Sequence, residues 1–296
     1  MNTLTRRDLL KKTVAVAGGG AVLLNIPVDA WAKPQQATVR VVLVRNQHLF
    51  AKGNAPDAGI AKQMLDQAVC SLTGNNNPDA AWKTILKPTD VLGIKSNQWE
   101  RLPTPSVLEQ ALRERALKVG IKQANISIAD RSVLANRVFQ RSTALINIRP
   151  MRTHAWSGVG SLIKNYIPFS PKMDSFHPDS CANLATLFDF PAVKGKTRLH
   201  ILVMFTPQFH HLAPHHFSEE YVWKYNGLLV GFDPVAVDSI GLRIIEAKRN
   251  EYFKENRPLN PPAKHIALAD TQYRLGTADP AKINLVKIGW DLNSFV

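Results

Sequence analysis

The fold class is indicated by residues 90–130, whose sequence is DVLGIKSNQWERLPTPSVLEQALRERALKVGIKQANISIAD. This stretch opens with a short apolar run, 90–95, which is bounded by a proline and a polar turn and therefore predicts a β-strand. Apolar residues then recur at helical spacing over 107–119, and Gly120 ends that pattern. A second strand follows at 125–130. A strand, helix, strand order of this kind predicts a right-handed crossover between parallel strands.

The same alternation extends to both sides of this stretch. Further strands are predicted over 39–44, 144–148, 199–205, 228–231 and 283–288, the last of them at a sheet edge, and further helices over 58–72 and 237–245. Strands alternating with helices bury both faces of a sheet. The sequence therefore predicts a single α/β domain over 33–296, with a mostly parallel sheet and helices on both faces.

The N-terminal residues have the order of a signal peptide. Arg6 and Arg7 precede two leucines and two lysines, a short apolar stretch over 14–24 follows, and Ala30-Trp31-Ala32 ends the segment. This order predicts a twin-arginine signal over 1–32, cleaved after Ala32, with the twin-arginine translocase as partner and the periplasm as destination. The apolar stretch is about half of the ~20 residues that a membrane span needs, so no stable membrane anchor is expected.

Charge and cysteine content narrow the classes of partner and cofactor. The formal net charge is +14, but the basic residues are scattered, which together with export argues against a nucleic-acid partner. An anionic small molecule, an acidic partner, the membrane surface, or a basic exterior without a specific role all remain open. The chain has two cysteines, Cys70 and Cys181, which are too few to hold an iron–sulfur cluster by themselves. The sequence is compatible with a single disulfide between them or with two free thiols.

Polar residues follow four of the predicted strands. They are Lys95-Ser96-Asn97, Asp130-Arg131-Ser132, Arg149 to His154, and Asp233-Pro234. Open α/β sheets bind ligands beyond the carboxyl ends of their strands, so we expect the four groups to share one crevice. Individually, each has a simpler explanation: an aspartate can cap a helix or turn, and a lysine can pair with a carboxylate.

Two kinds of chemistry suit this set. A metal site with nitrogen and oxygen ligands, of the zinc, iron or nickel kind, would use Asp130, His154, His177, Asp233 and Asp238. An anion or cofactor cradle would use Lys95, Asn97, Arg152 and Asn165. In an enzyme, His154 is the candidate acid–base group and Lys164 the candidate electrostatic stabiliser.

The histidine-rich stretch over 210–216 is less specific than its composition suggests. Pro214 interrupts any regular helix that would align the imidazoles, so an exposed loop is the favoured interpretation. The pattern Gly158-Val159-Gly160 precedes Lys164 but lacks the spacing of a phosphate-binding loop.

Several short motifs together resemble the domain-of-unknown-function 362 family. They are Gly93 to Asn97, Leu145 to His154, Leu162 to Tyr166, and Asp233 to Asp238, and the similarity runs from about residue 90 to the end. The resemblance implies site roles for Lys95, Asn97, His154, Lys164, Asn165, Asp233 and Asp238, and a setting in redox or metallocofactor chemistry. Family members usually carry lysine where this chain has Arg152, which keeps the charge but binds oxyanions through a planar fork.

Two hypotheses follow from the sequence. The first is an exported enzyme that depends on a metal or cofactor, linked to redox or metallocofactor chemistry and served by a redox partner protein. The second is a non-catalytic periplasmic binding or maturation protein that holds an anionic cofactor or partner in a basic crevice.

Overall fold

A sheet of eight strands forms the centre of the computed structural model, which describes residues 38–213 and 215–296. The predicted signal peptide, 1–32, lies outside the described residues. The strands are β1 Val39–Arg45, β2 Leu92–Lys95, β3 Ile126–Ala129, β4 Ala144–His154, β5 Gly158–Gly160, β6 Thr197–Ala213, β7 Gly227–Gly231 and β8 Ile283–Gly289.

The strand order is β3-β2-β4-β6-β7-β1-β8, with β5 paired to the end of β4. Strands β3, β2, β4 and β6 are mutually parallel, and β8 runs parallel to β1 at the sheet edge. Strand β7 is antiparallel to both of its neighbours, β6 and β1. The predicted α/β class, the mostly parallel sheet and the edge position of β8 are confirmed.

Seven α-helices, two of them single turns, lie between the strands within the described residues. They are α1 Ala58–Thr73, α2 Pro78–Ile85, α3 Ser106–Val119, α4 Arg137–Gln140, the single turn α5 Pro178–Cys181, α6 Pro234–Phe253 and α7 Lys264–Thr271. The Asp57 side chain caps α1 by accepting from the backbone amides of Gly59 and Ile60. Gly120 ends α3 in the left-handed conformation, as its position predicts.

Successive side chains of a strand point to opposite faces of the sheet, and they pack into two separate hydrophobic cores, one on each face. Val42 and Val44 of β1 pack with α1, α2 and α3 on one face of the sheet. Val41 and Leu43 point to the other face, where they pack with α6 and α7. Both faces are covered, which explains why the central strands are apolar at nearly every position. Among the described residues, no helix is long and apolar enough to cross a membrane.

Two strands extend well beyond their predicted ends. Strand β4 continues to His154, and β6 continues to Ala213, so polar residues assigned to loops are part of the sheet. The register between β4 and β6 is regular from Ile146 to Pro150 and shifts on either side of this stretch. The sequence analysis underestimated the lengths of β4 and β6, because the arginines and histidines in these extensions interrupt the apolar pattern that indicates a strand.

Candidate functional site

A pocket of about 240 Å³ opens beyond the carboxyl ends of β2, β3 and β4. Its lining residues are Asn97, Trp99, Asp130, Arg131, Arg149, Arg152, His154, Trp156, Lys164, Asn165, Ile167, Pro168, Met173, Asp174 and His177. Parallel strands deliver their C-terminal residues to one edge, so segments far apart in sequence meet here. Of the predicted site residues, the pocket brings together Asn97, Asp130, Arg152, His154, Lys164, Asn165 and His177.

Arg149 of β4 lies deep in this pocket and is almost wholly buried. Its guanidinium packs on Gly160 of β5, where a Cβ atom would come within 2.5 Å of Nη2. A side chain at position 160 would therefore displace the arginine. Burial lowers the pKa of Arg149 to about 10, and its Nε has no hydrogen-bond partner among the described residues.

Arg152 lies further along β4, is equally buried and also lines the pocket. Its Nη1 donates to Oδ1 of Asn97 at 3.0 Å, and its guanidinium lies over the Trp99 ring at 4.6 Å. Burial, with the nearby Arg149 charge, holds the pKa of Arg152 well below its ordinary value. Its Nε, like that of Arg149, is buried without a partner in the described part of the chain.

Lys164 begins the 3₁₀ segment Lys164–Phe169, which forms another wall of the pocket. Its Nζ lies 3.3 Å from the sulfur of Cys181 and is almost completely buried. Burial lowers the pKa of the Lys164 amine to about 8, and the neighbouring arginines contribute in the same direction. The amine is therefore mostly charged at neutral pH, although no carboxylate pairs with it among the residues described.

His154 stands at the end of β4 beside these three cations. Burial comes first, and the charges of Lys164, Arg149 and Arg152 second, in holding the His154 pKa well below its ordinary value. The Trp156 backbone amide donates to Nδ1 at 3.2 Å, so the neutral ring carries its proton on Nε2. His154 can therefore act as a neutral hydrogen-bond donor.

Lys95, predicted to bind a cofactor, lies behind the pocket wall instead of lining it. It is fully buried, and its Nζ donates to Oδ1 of Asp130 at 2.8 Å and to Oδ1 of Asn165 at 3.3 Å. Burial alone would raise the pKa of Asp130, but the charge and hydrogen bond of Lys95 lower it overall. Lys95 thus positions Asp130 and Asn165 and keeps the Asp130 carboxylate ionised.

Asp238 on α6 also supports the pocket from below. Its carboxylate accepts from the backbone amides of Leu162 and Ile163 at 2.9 Å and from the Ser161 hydroxyl at 2.7 Å. Burial raises the pKa of Asp238 to about 6. These three bonds fix the segment that leads into Lys164, and they occupy both carboxylate oxygens.

Asp233 does not lie at the crevice that the four strand ends were expected to share. It follows β7, and because β7 is antiparallel to β6, its C-terminal end lies at the opposite edge of the sheet. The Asp233 carboxylate caps α6 through the amides of Val235 and Ala236, and it also accepts from the amide of Thr277. The prediction that four strand ends meet was wrong at this strand, and the capping role explains the residue.

The five predicted metal ligands are not assembled into one donor set. Both carboxylate oxygens of Asp238 and of Asp233 accept hydrogen bonds, and Asp130 is paired with Lys95. His154 and His177 remain in the pocket, on either side of the Trp156 ring, at centroid distances of 5.5 and 4.5 Å. Within the described residues, no group of three His, Cys, Asp or Glu side chains is placed to hold a metal ion. The five residues therefore do not form one site in this structure, and a metal site stays a prediction of the sequence.

The histidine-rich stretch is divided between a strand and the surface. His210 and His211 belong to β6, and Nδ1 of His210 lies 3.0 Å from Nη1 of Arg249. His215 and His216 are exposed. The interpretation of the whole stretch as an exposed loop was wrong for its first two histidines, which pack against the Tyr221 ring.

Both cysteines carry free thiols, and one of them, Cys181, contacts the pocket residue Lys164. Cys181 ends α5, where Asp179, Ser180 and Cys181 all adopt positive φ values between 53° and 62°. Three consecutive left-handed residues with side chains are costly, at roughly 1–2 kcal/mol each. The turn brings the Cys181 sulfur against the Lys164 amine.

The pocket also contains residues that were not predicted as ligands, among them Arg149, Trp99 and Trp156. Arg149 stands three residues before Arg152, and its proximity to a predicted anion ligand was the available signal. Trp99 and Trp156 each lie two residues beyond a predicted ligand, Asn97 and His154. Only the tertiary structure turns their rings toward the pocket.

Comparison of the chain with family models, with curated proteins and with solved structures gives no significant match. The resemblance to the domain-of-unknown-function 362 family therefore stays a prediction that depends on short motifs. The geometry of the pocket is the observation on which a functional proposal can be based.

Proposed function

We propose that this protein binds a small oxyanion, a phosphate or a carboxylate, in the pocket at the carboxyl ends of β2, β3 and β4. The observation that carries the proposal is an excess of buried positive charge. Arg149, Arg152 and Lys164 line the pocket at 5% exposure or less, and Asp130, the partly buried carboxylate of the lining, is already paired with Lys95.

Buried charge without a partner is expensive, because burial removes the hydration that stabilises an ion in water. In the described structure, both guanidinium groups keep an unpartnered Nε, and the lowered pKa values of Arg149 and Lys164 reflect the same cost. A bound oxyanion would supply the missing charge and accept hydrogen bonds from both arginines. Guanidinium groups suit this role because their planar fork matches the oxygens of phosphate and carboxylate.

Size and depth distinguish this ligand from a macromolecule. At about 240 Å³ the pocket is smaller than the roughly 300–1,000 Å³ typical of drug-sized ligands. The cations lie below the surface, whereas nucleic acids are held by exposed basic patches. A small molecule, or the small anionic end of a larger one, matches this geometry.

Isothermal titration of the purified protein with phosphate, sulfate and acetate tests the proposal. We expect one of these anions to bind, and we expect Arg149→Met or Arg152→Met to weaken its binding at least about tenfold, since each removes a charge-assisted hydrogen bond. Arg243→Met is the matched control, because Arg243 is exposed on α6. Absence of binding by all three anions, or equal losses in the pocket and control variants, would overturn the proposal.

A second candidate is an enzyme that acts on the bound anion, as the sequence predicted for an exported, cofactor-linked protein. The observation that favours it is the neutral His154 ring, whose Nε2 carries the proton while Trp156 occupies Nδ1. With Lys164, this donor could stabilise negative charge that develops on a substrate oxygen. A screen of 4-nitrophenyl phosphate and 4-nitrophenyl acetate would support catalysis if turnover occurs and is lost in His154→Phe.

A further inference from the structure

We infer that the oxyanion bound here is carried on a planar aromatic ring, so that the ligand is an aryl or heterocyclic phosphate or carboxylate. This inference rests on the proposed oxyanion site and concerns the part of the ligand outside the arginines. It comes from two tryptophans and a small apolar surface at the mouth of the pocket.

Trp99 forms one side of the mouth. Its ring lies 4.6 Å from the guanidinium carbon of Arg152 and meets the Phe217 ring edge to face at 5.8 Å. These two contacts hold the indole next to a cation that we assign to oxyanion binding. A ring attached to that oxyanion would emerge beside the indole.

Trp156 forms another part of the mouth and is 40% exposed. Its ring contacts the imidazoles of His154, His177 and His215, with centroid distances between 4.5 and 5.5 Å. Lys164 Nζ lies 6.0 Å from the same ring centroid. A large apolar ring left open to solvent beside a buried cation is a surface on which a ligand ring can stack.

The remaining apolar lining favours the same ligand. Ile167 and Pro168 line the pocket, and Met173 is 43% exposed at its edge. An inorganic anion would use the arginines and leave this apolar surface unused. A ligand with an apolar planar portion would cover it, and the modest volume of the pocket favours a single ring over a larger group.

Three probes that share one oxyanion test the inference: phenyl phosphate, cyclohexyl phosphate and inorganic phosphate, each titrated by calorimetry. We expect phenyl phosphate to bind about tenfold more tightly than inorganic phosphate, because stacking on tryptophan contributes free energy of that order. Cyclohexyl phosphate has a similar size but no π system and is expected to fall between them.

Trp156→Ala should reduce the advantage of phenyl phosphate over inorganic phosphate while leaving the affinity for inorganic phosphate within about twofold. Trp290→Ala is the matched control, because Trp290 stacks on Arg45 at 4.3 Å and does not line the pocket. Trp99→Ala provides a second variant, and we expect it to act in the same direction as Trp156→Ala.

The outcomes separate the two proposals. Equal affinity for the three probes, or an advantage of phenyl phosphate that survives in both pocket tryptophan variants, would overturn the aromatic ligand and leave the oxyanion site standing. Failure of all three probes, in a repeat with phenylacetate, benzoate and acetate as well, would overturn both. An aryl advantage that depends on Trp99 or Trp156 and also on Arg152 supports both.

Discussion

Two regions of this molecule bury arginine in opposite ways. Arg115 on α3 lies between helices, where its Nε and Nη2 contact the two oxygens of Asp66 and its Nη1 donates to Asp79 at 2.7 Å. Arg149 and Arg152, at the carboxyl edge of the sheet, are just as buried but have no carboxylate in hydrogen-bond contact among the described residues.

The difference appears in the direction of the pKa shifts. Burial lowers the pKa of Arg115, but Asp66 and Asp79 raise it by more, so the net shift is upward. The pKa values of Arg149 and Arg152 are lowered, because burial outweighs the charges of nearby carboxylates and neither arginine forms a salt bridge among the described residues. A satisfied buried arginine indicates a structural role, whereas an unsatisfied one at a sheet edge indicates a binding role.

The largest effect is expected from Arg115→Met. This substitution leaves the carboxylate of Asp66 buried and deprived of its bidentate partner, and such losses typically cost about 3–5 kcal/mol. Urea unfolding followed by circular dichroism would measure the drop in the free energy of unfolding. A change below about 1 kcal/mol would show that the helix cluster does not depend on this ion pair.

Arg149→Met should separate binding from stability. We expect anion affinity to fall by about 10–100-fold, since charge-assisted hydrogen bonds contribute about 1.5–3 kcal/mol each. The free energy of unfolding of the ligand-free protein should stay the same or rise, because an unpaired buried charge is removed. Titration and urea unfolding of the same samples measure both quantities, and a large loss of stability would mean that Arg149 is structural like Arg115.

The affinity for sulfate should fall as pH rises through about 8. Sulfate keeps its charge over this range, whereas the Lys164 amine, with a pKa of about 8, loses its proton. The loss should approach about tenfold at pH 9.5, in line with one lost charged contact. Titrations between pH 7 and 9.5 measure it, and Lys164→Met should flatten the profile.

Unlike the anion affinity, the free energy of unfolding should rise with pH. Lys95 and Lys164 have pKa values of about 8 in the folded protein, against an ordinary value of 10.5. Between these values the unfolded chain binds more protons, so both lysines increase the free energy of unfolding as pH rises.

For the affinity prediction, a sulfate affinity that is constant from pH 7 to 9.5 would contradict the role given to Lys164.

The smallest expected effect is that of Ser180→Gly in the left-handed turn. Ser180 has a φ of 54°, which glycine adopts without the steric cost of a side chain. After the greater entropy of glycine in the unfolded chain is subtracted, we expect a gain of about 0.5–1 kcal/mol in the free energy of unfolding. Ser132→Gly is the control, since Ser132 has no positive φ, and equal effects of the two would contradict the argument.

Much of the fold could be predicted because local sequence patterns, such as apolar runs and helical spacing, indicate its strands and helices. The apolar run of β2, the helical spacing of α3 and the left-handed Gly120 after it were all correctly placed. The ends of β4 and β6 were missed, since Arg152 and His210 look like loop residues until the neighbouring strand pairs with them. Local pattern indicates that a strand exists more reliably than where it ends.

The candidate site was predicted in part for the same reason. Asn97, Arg152 and His154 follow or end strands that are parallel, so their meeting at one edge follows from topology. Asp233 was misplaced because the direction of β7 is set by its antiparallel pairing with β6 and β1. The sequence of β7 does not indicate this direction. Lys95 was assigned to the pocket because sequence position does not show on which side of a wall a side chain lies.

The sequence alone determined the α/β class, the parallel strands β2 to β4 and the polar character of their shared edge, because periodicity and strand ends are local properties. The tertiary structure decided which charges are paired: Arg115 meets two aspartates from other helices, while Arg149 fills the space left by Gly160 and meets none in the described chain. Ion pairing depends on contacts between distant segments, and the distinction between structural and binding arginines therefore emerges only on folding.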